Sequence, residues 1–275
     1  MIIIKFITHH LRSLFYGLVM GLGIVFLQEI ALVSTFNIFL IAVLVLAWVL
    51  VLELYTDYYL ASRYLKQLDL PELTMYSRTT QLIYHALLPL LQYVSLIAFI
   101  YTNNQPKLVL IYFIFSFFLY SLLFINIRAY NLDKFKLEES THFIYDLIKI
   151  CLFFLLTAGI INLTNLFGFS FYVAGGLISC SSAMLTFLVL LRRKHITYYN
   201  LLHIILAGIA IGYLSSSLLQ LLGTKSLLIA FYTTLVFYIF NAILQHYIER
   251  TLKLSVMVEY ILVSAICLLL IFLLP

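Results

Sequence analysis

The sequence predicts an all-α protein: a polytopic transmembrane helical bundle of about nine spans, N-terminus cytoplasmic and C-terminus outside. Three observations carry this. The 275 residues are 64% hydrophobic and only 10% charged, against about 25% charged in a soluble domain. The apolar runs are continuous, as in FNIFLIAVLVLAWVLVL, and lack the period-two alternation of a membrane barrel. The basic residues gather in alternate loops.

The spans follow from length, since about 20 mostly apolar residues cross a bilayer. They are expected at about 14–33, 36–55, 82–101, 108–127, 147–166, 171–191, 201–222, 227–248 and 256–274, making one integral membrane domain over 1–275. The first follows a basic start, MIIIKFITHHLRS. Its apolar run is too long for a signal peptide and no A-x-A site follows, so it reads as a retained helix. It carries Gln28 and Glu29 near its outer end, and a GxxxG from Gly17 to Gly21. The third span holds His85, Pro89 and Gln92. Proline lacks an N–H and frees the carbonyl four residues back, here that of His85. The sixth is smooth with Gly175, Gly176, Ser179 and Ala183, and the seventh repeats Gly208, Gly212 and Ser216 every fourth residue. Such faces let helices approach closely. The eighth aligns Tyr238, Asn241, Gln245 and Glu249 in one stripe, with His246 beside it.

Charge tests the span count independently. With nine spans, all 16 basic residues except Lys107 and Lys225 fall on one side. By the positive-inside rule that side is cytoplasmic. The net charge of +5 therefore reads as an orientation signal rather than a nucleic-acid surface. Short loops and this composition suit the inner membrane of a bacterial cell.

The largest polar stretch, residues 53–81, lies on the basic side. Leu60, Ala61, Tyr64, Leu65 and Leu68 fall at helical spacing, so a short helix resting on the headgroups is expected, ended by Pro71. This loop is the place where an anionic lipid or a cytoplasmic protein would dock.

Nine spans with the N-terminus inside resemble the topology of UbiA-type prenyltransferases. That resemblance implies two aspartate-rich motifs on inner loops. Glu53-x-x-x-Asp57 stands where the first would be, but the later loop, RRKHITYYN, holds no acid. Metal–diphosphate chemistry lacks its second half, and no family role passes to these residues.

No other catalytic or metal-binding pattern stands out. Cys151, Cys180 and Cys267 all sit in apolar spans, as packing residues do. No cofactor is expected. Polar groups inside a membrane are costly and so are functional candidates. His85, His203 and His246 belong to the inner helix halves and the stripe of Asn241, Gln245 and Glu249 runs to the inner end of its span; a polar cavity among these residues and Gln92 is expected. The function that fits is a non-enzymatic carrier of a small or lipidic solute, or a scaffold subunit. The alternative is a membrane enzyme acting on a lipid-linked substrate at the cytoplasmic face.

Overall fold

Helix is the only secondary structure among the described residues, as a chain of long apolar runs without glycine-rich breaks requires. The structure is a computed structural model. It describes residues 2–33, 36–67, 75–103, 107, 109–132, 139–193, 197–223, 225–248, 254, 258, 260–262 and 265. The elements are α1 (Ile2–Val33), α2 (Phe36–Gln67), α3 (Met75–Thr102), α4 (Val109–Leu132), α5 (Glu139–Phe167), α6 (Phe171–Arg193), α7 (Tyr198–Leu222) and α8 (Ser226–Ile248). Most of the expected ninth span, 256–274, lies outside the described residues.

Six stretches are long and apolar enough to cross a membrane: Leu11–Leu32, Phe36–Thr56, Asp146–Phe167, Phe171–Leu188, Tyr198–Leu222 and Ser226–Tyr247. Shorter apolar stretches, Ala86–Thr102 and Val109–Ile125, lie in α3 and α4. Several helices run past the expected spans at their polar ends. Hydropathy marks only the lipid-length part, while the backbone stays helical until something breaks it. The clearest departure is in α2. The separate surface helix expected over residues 58–68 is instead the unbroken continuation of α2 to Gln67. No glycine or proline stands between Phe36 and Gln67 to interrupt it. Pro71 lies outside the described residues.

The chain divides into two compact units, Met1–Lys149 and Ile150–Pro275, with the boundary inside α5. In the first, α1 lies against α4 over much more of its length than against α2 or α3. Gly17 meets Ser121 and Gly21 meets Phe113, so α1 and α4 run antiparallel. Gly23 against Leu46 and Arg12 against Glu53 make α1 and α2 antiparallel too. The Tyr93 hydroxyl donates to the Val43 carbonyl, tying α3 to α2. The ring of Phe99 meets that of Tyr112 at 5.9 Å, and the Tyr112 hydroxyl donates to the Asn103 carbonyl at 2.8 Å, closing α3 on α4.

In the second unit α6 and α7 form the tightest pair. A Cβ on Gly208 would stand 2.9 Å from the Ser179 carbonyl oxygen, and one on Gly212 2.8 Å from the Ser179 Cβ. Absence of side chains at these points is what brings the backbones together. α8 packs on α7, where Ser215 and Thr233 share a hydrogen bond of 3.0 Å. The Phe153 ring of α5 stacks on Phe237 of α8 at 4.0 Å. Gly168 (φ 66°) turns the chain between α5 and α6, and Gly223 (φ 60°) caps α7 by donating its N–H to the Leu219 carbonyl. Thr197 opens α7, its hydroxyl accepting from the Asn200 N–H at 3.3 Å.

Candidate functional site

The core is mostly apolar, but the exposed surface is apolar too, and several polar side chains are fully buried. Trp48 is 64% exposed and Phe26 63%, while Gln92 is 0% exposed and Gln28, Ser116 and Thr157 are equally buried. An apolar exterior with polar side chains kept inside suits hydrocarbon as the surrounding solvent. The architecture is compatible with an integral membrane protein, and its buried polar groups define the candidate site.

Midway along α2 sits a charged cluster shared with α1. Glu53 is 3% exposed and its carboxylate pairs with the Arg12 guanidinium at 3.2 Å. Arg12 also donates to the Thr56 hydroxyl at 3.1 Å. The Thr56 hydroxyl donates to the Glu53 carbonyl at 2.8 Å. The Tyr16 phenol lies within hydrogen-bonding reach of Glu53, and the Arg12 guanidinium stands 5.7 Å from the Tyr16 ring centre. Glu53 is thus committed to a cation and hydroxyls of its own unit. Lys149, also buried, pairs with Asp146 at 2.6 Å one turn back on α5.

Further along the same unit lies an uncharged polar patch. Neither the Gln92 amide oxygen nor its nitrogen has a hydrogen-bond partner. The hydroxyls of Ser116 and Tyr120 are likewise buried and unpaired. Leu88, Gln92, Ser95 and Leu96 form the buried face of α3; Tyr112, Ser116, Leu119, Tyr120 and Leu123 that of α4. The Phe99–Tyr112 contact sets the antiparallel register, which brings Gln92 to the height of Leu119 and Ser95 to that of Ser116. The Tyr120 hydroxyl lies within electrostatic reach of Tyr93.

The sequence-predicted residues fall as follows. Gln92 belongs to the patch just described. His85 lies in α3, one helical turn before Pro89, but its side chain is outside the described residues, as is all of Glu249. In the second unit, His203 is exposed and its Nδ1 contacts the Tyr199 carbonyl at 2.6 Å. Its ring stands 6.3 Å from that of Tyr247. The Asn241 amide nitrogen donates to the Phe237 carbonyl at 2.8 Å, and its oxygen is buried without a partner. Gln245 is half-buried. His246 Nε2 meets the Tyr260 hydroxyl at 3.4 Å, and Tyr238 packs edge-on against the same Tyr260 ring at 5.9 Å. The α8 stripe is therefore split: Tyr238 and His246 gather on Tyr260, while Asn241 turns back onto its own helix.

Sequence reasoning missed Arg12, Tyr16 and Thr56 as partners of Glu53, and Ser116, Tyr120 and Tyr260 as polar interior residues. A signal for the first group existed. Counted back from the end of α1 at Val33 and forward from the start of α2 at Phe36, Arg12 and Glu53 lie at comparable distances. The lone hydroxyls carry no such signal in an apolar span. Gln28 and Glu29 separate as well: Gln28 is buried and Glu29 exposed, so they form no joint site on α1. Thr164, in the glycosylation-like Asn162-Leu163-Thr164, is buried and donates to the Ile160 carbonyl at 2.8 Å. No group of three or more histidine, cysteine or acidic side chains able to hold a metal occurs among the described residues. Compared with family models, curated proteins and solved structures, the chain gives no match.

Proposed function

We infer that the chain is a carrier for a small or lipidic solute, crossing the inner membrane of a cell nine times with its N-terminus in the cytoplasm and its C-terminus outside. The observation that carries this reading is Gln92. A primary amide with both polar atoms unpaired, fully buried in an apolar helix, costs several kcal/mol in hydrocarbon unless something bonds to it. Pro89 adds support, because it leaves the His85 carbonyl without its helical donor. Of the seven residues expected around an inner cavity, Gln92 carries this proposal, and docking of an anionic lipid or a cytoplasmic protein at residues 53–81 belongs to it too.

The enzymatic alternative loses ground at Glu53. An acid paired with Arg12 at 3.2 Å has its charge compensated already, and a diphosphate-bound cation would have to displace the guanidinium. Purified protein reconstituted in liposomes and tested against a solute panel decides the matter. Movement of at least one solute above empty liposomes is expected. A protein that moves none, and instead co-purifies with a membrane complex, is a scaffold subunit.

A further inference from the structure

We propose that Gln92, Ser116 and Tyr120 form a binding site for a small uncharged solute carrying both hydrogen-bond donors and acceptors, of the amide, urea or polyol class. This rests on the carrier reading and gives it a substrate class.

The chemistry of the three groups sets the class. Gln92 offers two N–H donors and one carbonyl acceptor, and each hydroxyl can do either. All are buried and unpaired. They come from the interior faces of two neighbouring antiparallel helices, at matched heights. The site thus holds donors and acceptors together, as a solute with both would need. An aliphatic guest would leave them all unsatisfied.

Charge excludes ions. The Arg12–Glu53 ion pair lies further along α2 than Val43, which marks the height of Tyr93. Ten residues of helix separate Val43 from Glu53, about 15 Å at 1.5 Å per residue. Both members are engaged with each other and with Thr56. Glu29 is exposed on the outside of α1. Among the described residues an ion beside Gln92 would find dipoles but no counter-charge, with Leu88 and Leu96 a turn away on α3 and Leu119 and Leu123 buried on α4. Taking an unpaired ion into such a medium is far more costly than taking a neutral solute. The hydroxyl of Tyr120 is held in place by its ring, which stacks on Phe124 at 6.4 Å, so the donor set is fixed rather than formed on binding.

The test is solute flux into proteoliposomes after an osmotic step, read by light scattering, with urea, glycerol and sodium chloride as probes. Urea or glycerol should enter faster than into empty liposomes, and sodium chloride should not. Gln92→Leu and Tyr120→Phe should each slow that entry about tenfold, the scale of one lost hydrogen bond in a water-poor interior. Thr157→Val, a buried unpaired hydroxyl of the other unit, should leave it unchanged. Monodisperse elution of each variant guards against misfolding, and Tyr120→Phe keeps the ring and its packing. Entry of sodium chloride but neither neutral probe overturns the substrate class while leaving a carrier. Urea entry equal in wild type and in both site variants overturns the site. Water permeation alone overturns the solute reading. No flux of any probe or panel solute overturns the carrier reading itself.

Discussion

Glu53 and Gln92 are both buried polar side chains in apolar helices, yet they are satisfied in opposite ways. Glu53 has a cation and two hydroxyls of its own unit around it; Gln92 has no bond to its amide. Removing one partner of a wholly buried pair costs about 3–5 kcal/mol. Arg12 is 42% exposed, which lowers the expected loss for Arg12→Ala towards the bottom of that range. Arg12→Ala should therefore lower the thermal midpoint in detergent, and Arg12→Ala with Glu53→Gln should recover part of it, because the stranded charge has gone. A double variant no more stable than the single would show that the pair contributes nothing through charge. Gln92→Leu should raise the midpoint, since an unpaired amide gives way to a packed side chain. Gln92 was legible in the sequence because amides are rare in apolar spans. Its neighbours were not: serine and tyrosine occur throughout these helices, and only tertiary register shows which ones are buried without partners.

At the scale of the element, small residues are sorted by what faces them. Gly175 and Gly176 are adjacent in sequence, but a Cβ on Gly175 would press on Ser216 and the Gly212 carbonyl, whereas one on Gly176 meets nothing. Gly212→Val should therefore part α6 from α7 and destabilise by about 1–3 kcal/mol, as overpacking does, while Gly176→Val should change the midpoint little. Melting curves of the two side by side check this. Gly168→Ala tests the turn between α5 and α6. Its φ of 66° is strained for any residue with a Cβ, and about 1 kcal/mol of stability should be lost although the space is open. The small-residue pattern was readable from the sequence; which of two adjacent glycines faces the neighbour depends on helix rotation and was not. The extent of α2 was misread for a related reason. Amphipathic spacing in residues 58–68 distinguishes the faces of a helix but gives no sign of where that helix began.

The whole molecule is where sequence patterning reached furthest. Composition and run length predicted helices throughout, and the described residues are helical with short turns. Within the first unit the antiparallel order of α1 to α4 places Arg12 and Glu53 well away from the end that carries Lys107. That arrangement follows the split of basic residues between alternate loops. The proposed nine-span topology makes a direct prediction: reporters fused to the two termini should report opposite sides of the membrane, the N-terminal one cytoplasmic. Both on one side would mean an even number of crossings. What stayed illegible at this scale is which helices are neighbours. Hydropathy gives each span alike and is silent about pairing.

That pairing bears on the order of assembly during synthesis. α6 and α7 are consecutive, so their glycine faces can close as soon as the second has emerged. α1 has its most extensive contact with α4, and nearly a hundred residues separate Gly21 from Phe113. At about 5–20 residues per second, α1 waits roughly 5–20 s in the bilayer before its main partner exists. Through that interval its Gly17–Gly21 face stands uncovered, open to any other helix that small residues attract. The first unit therefore assembles late around its oldest helix, and an insertion chaperone would have most to shield there.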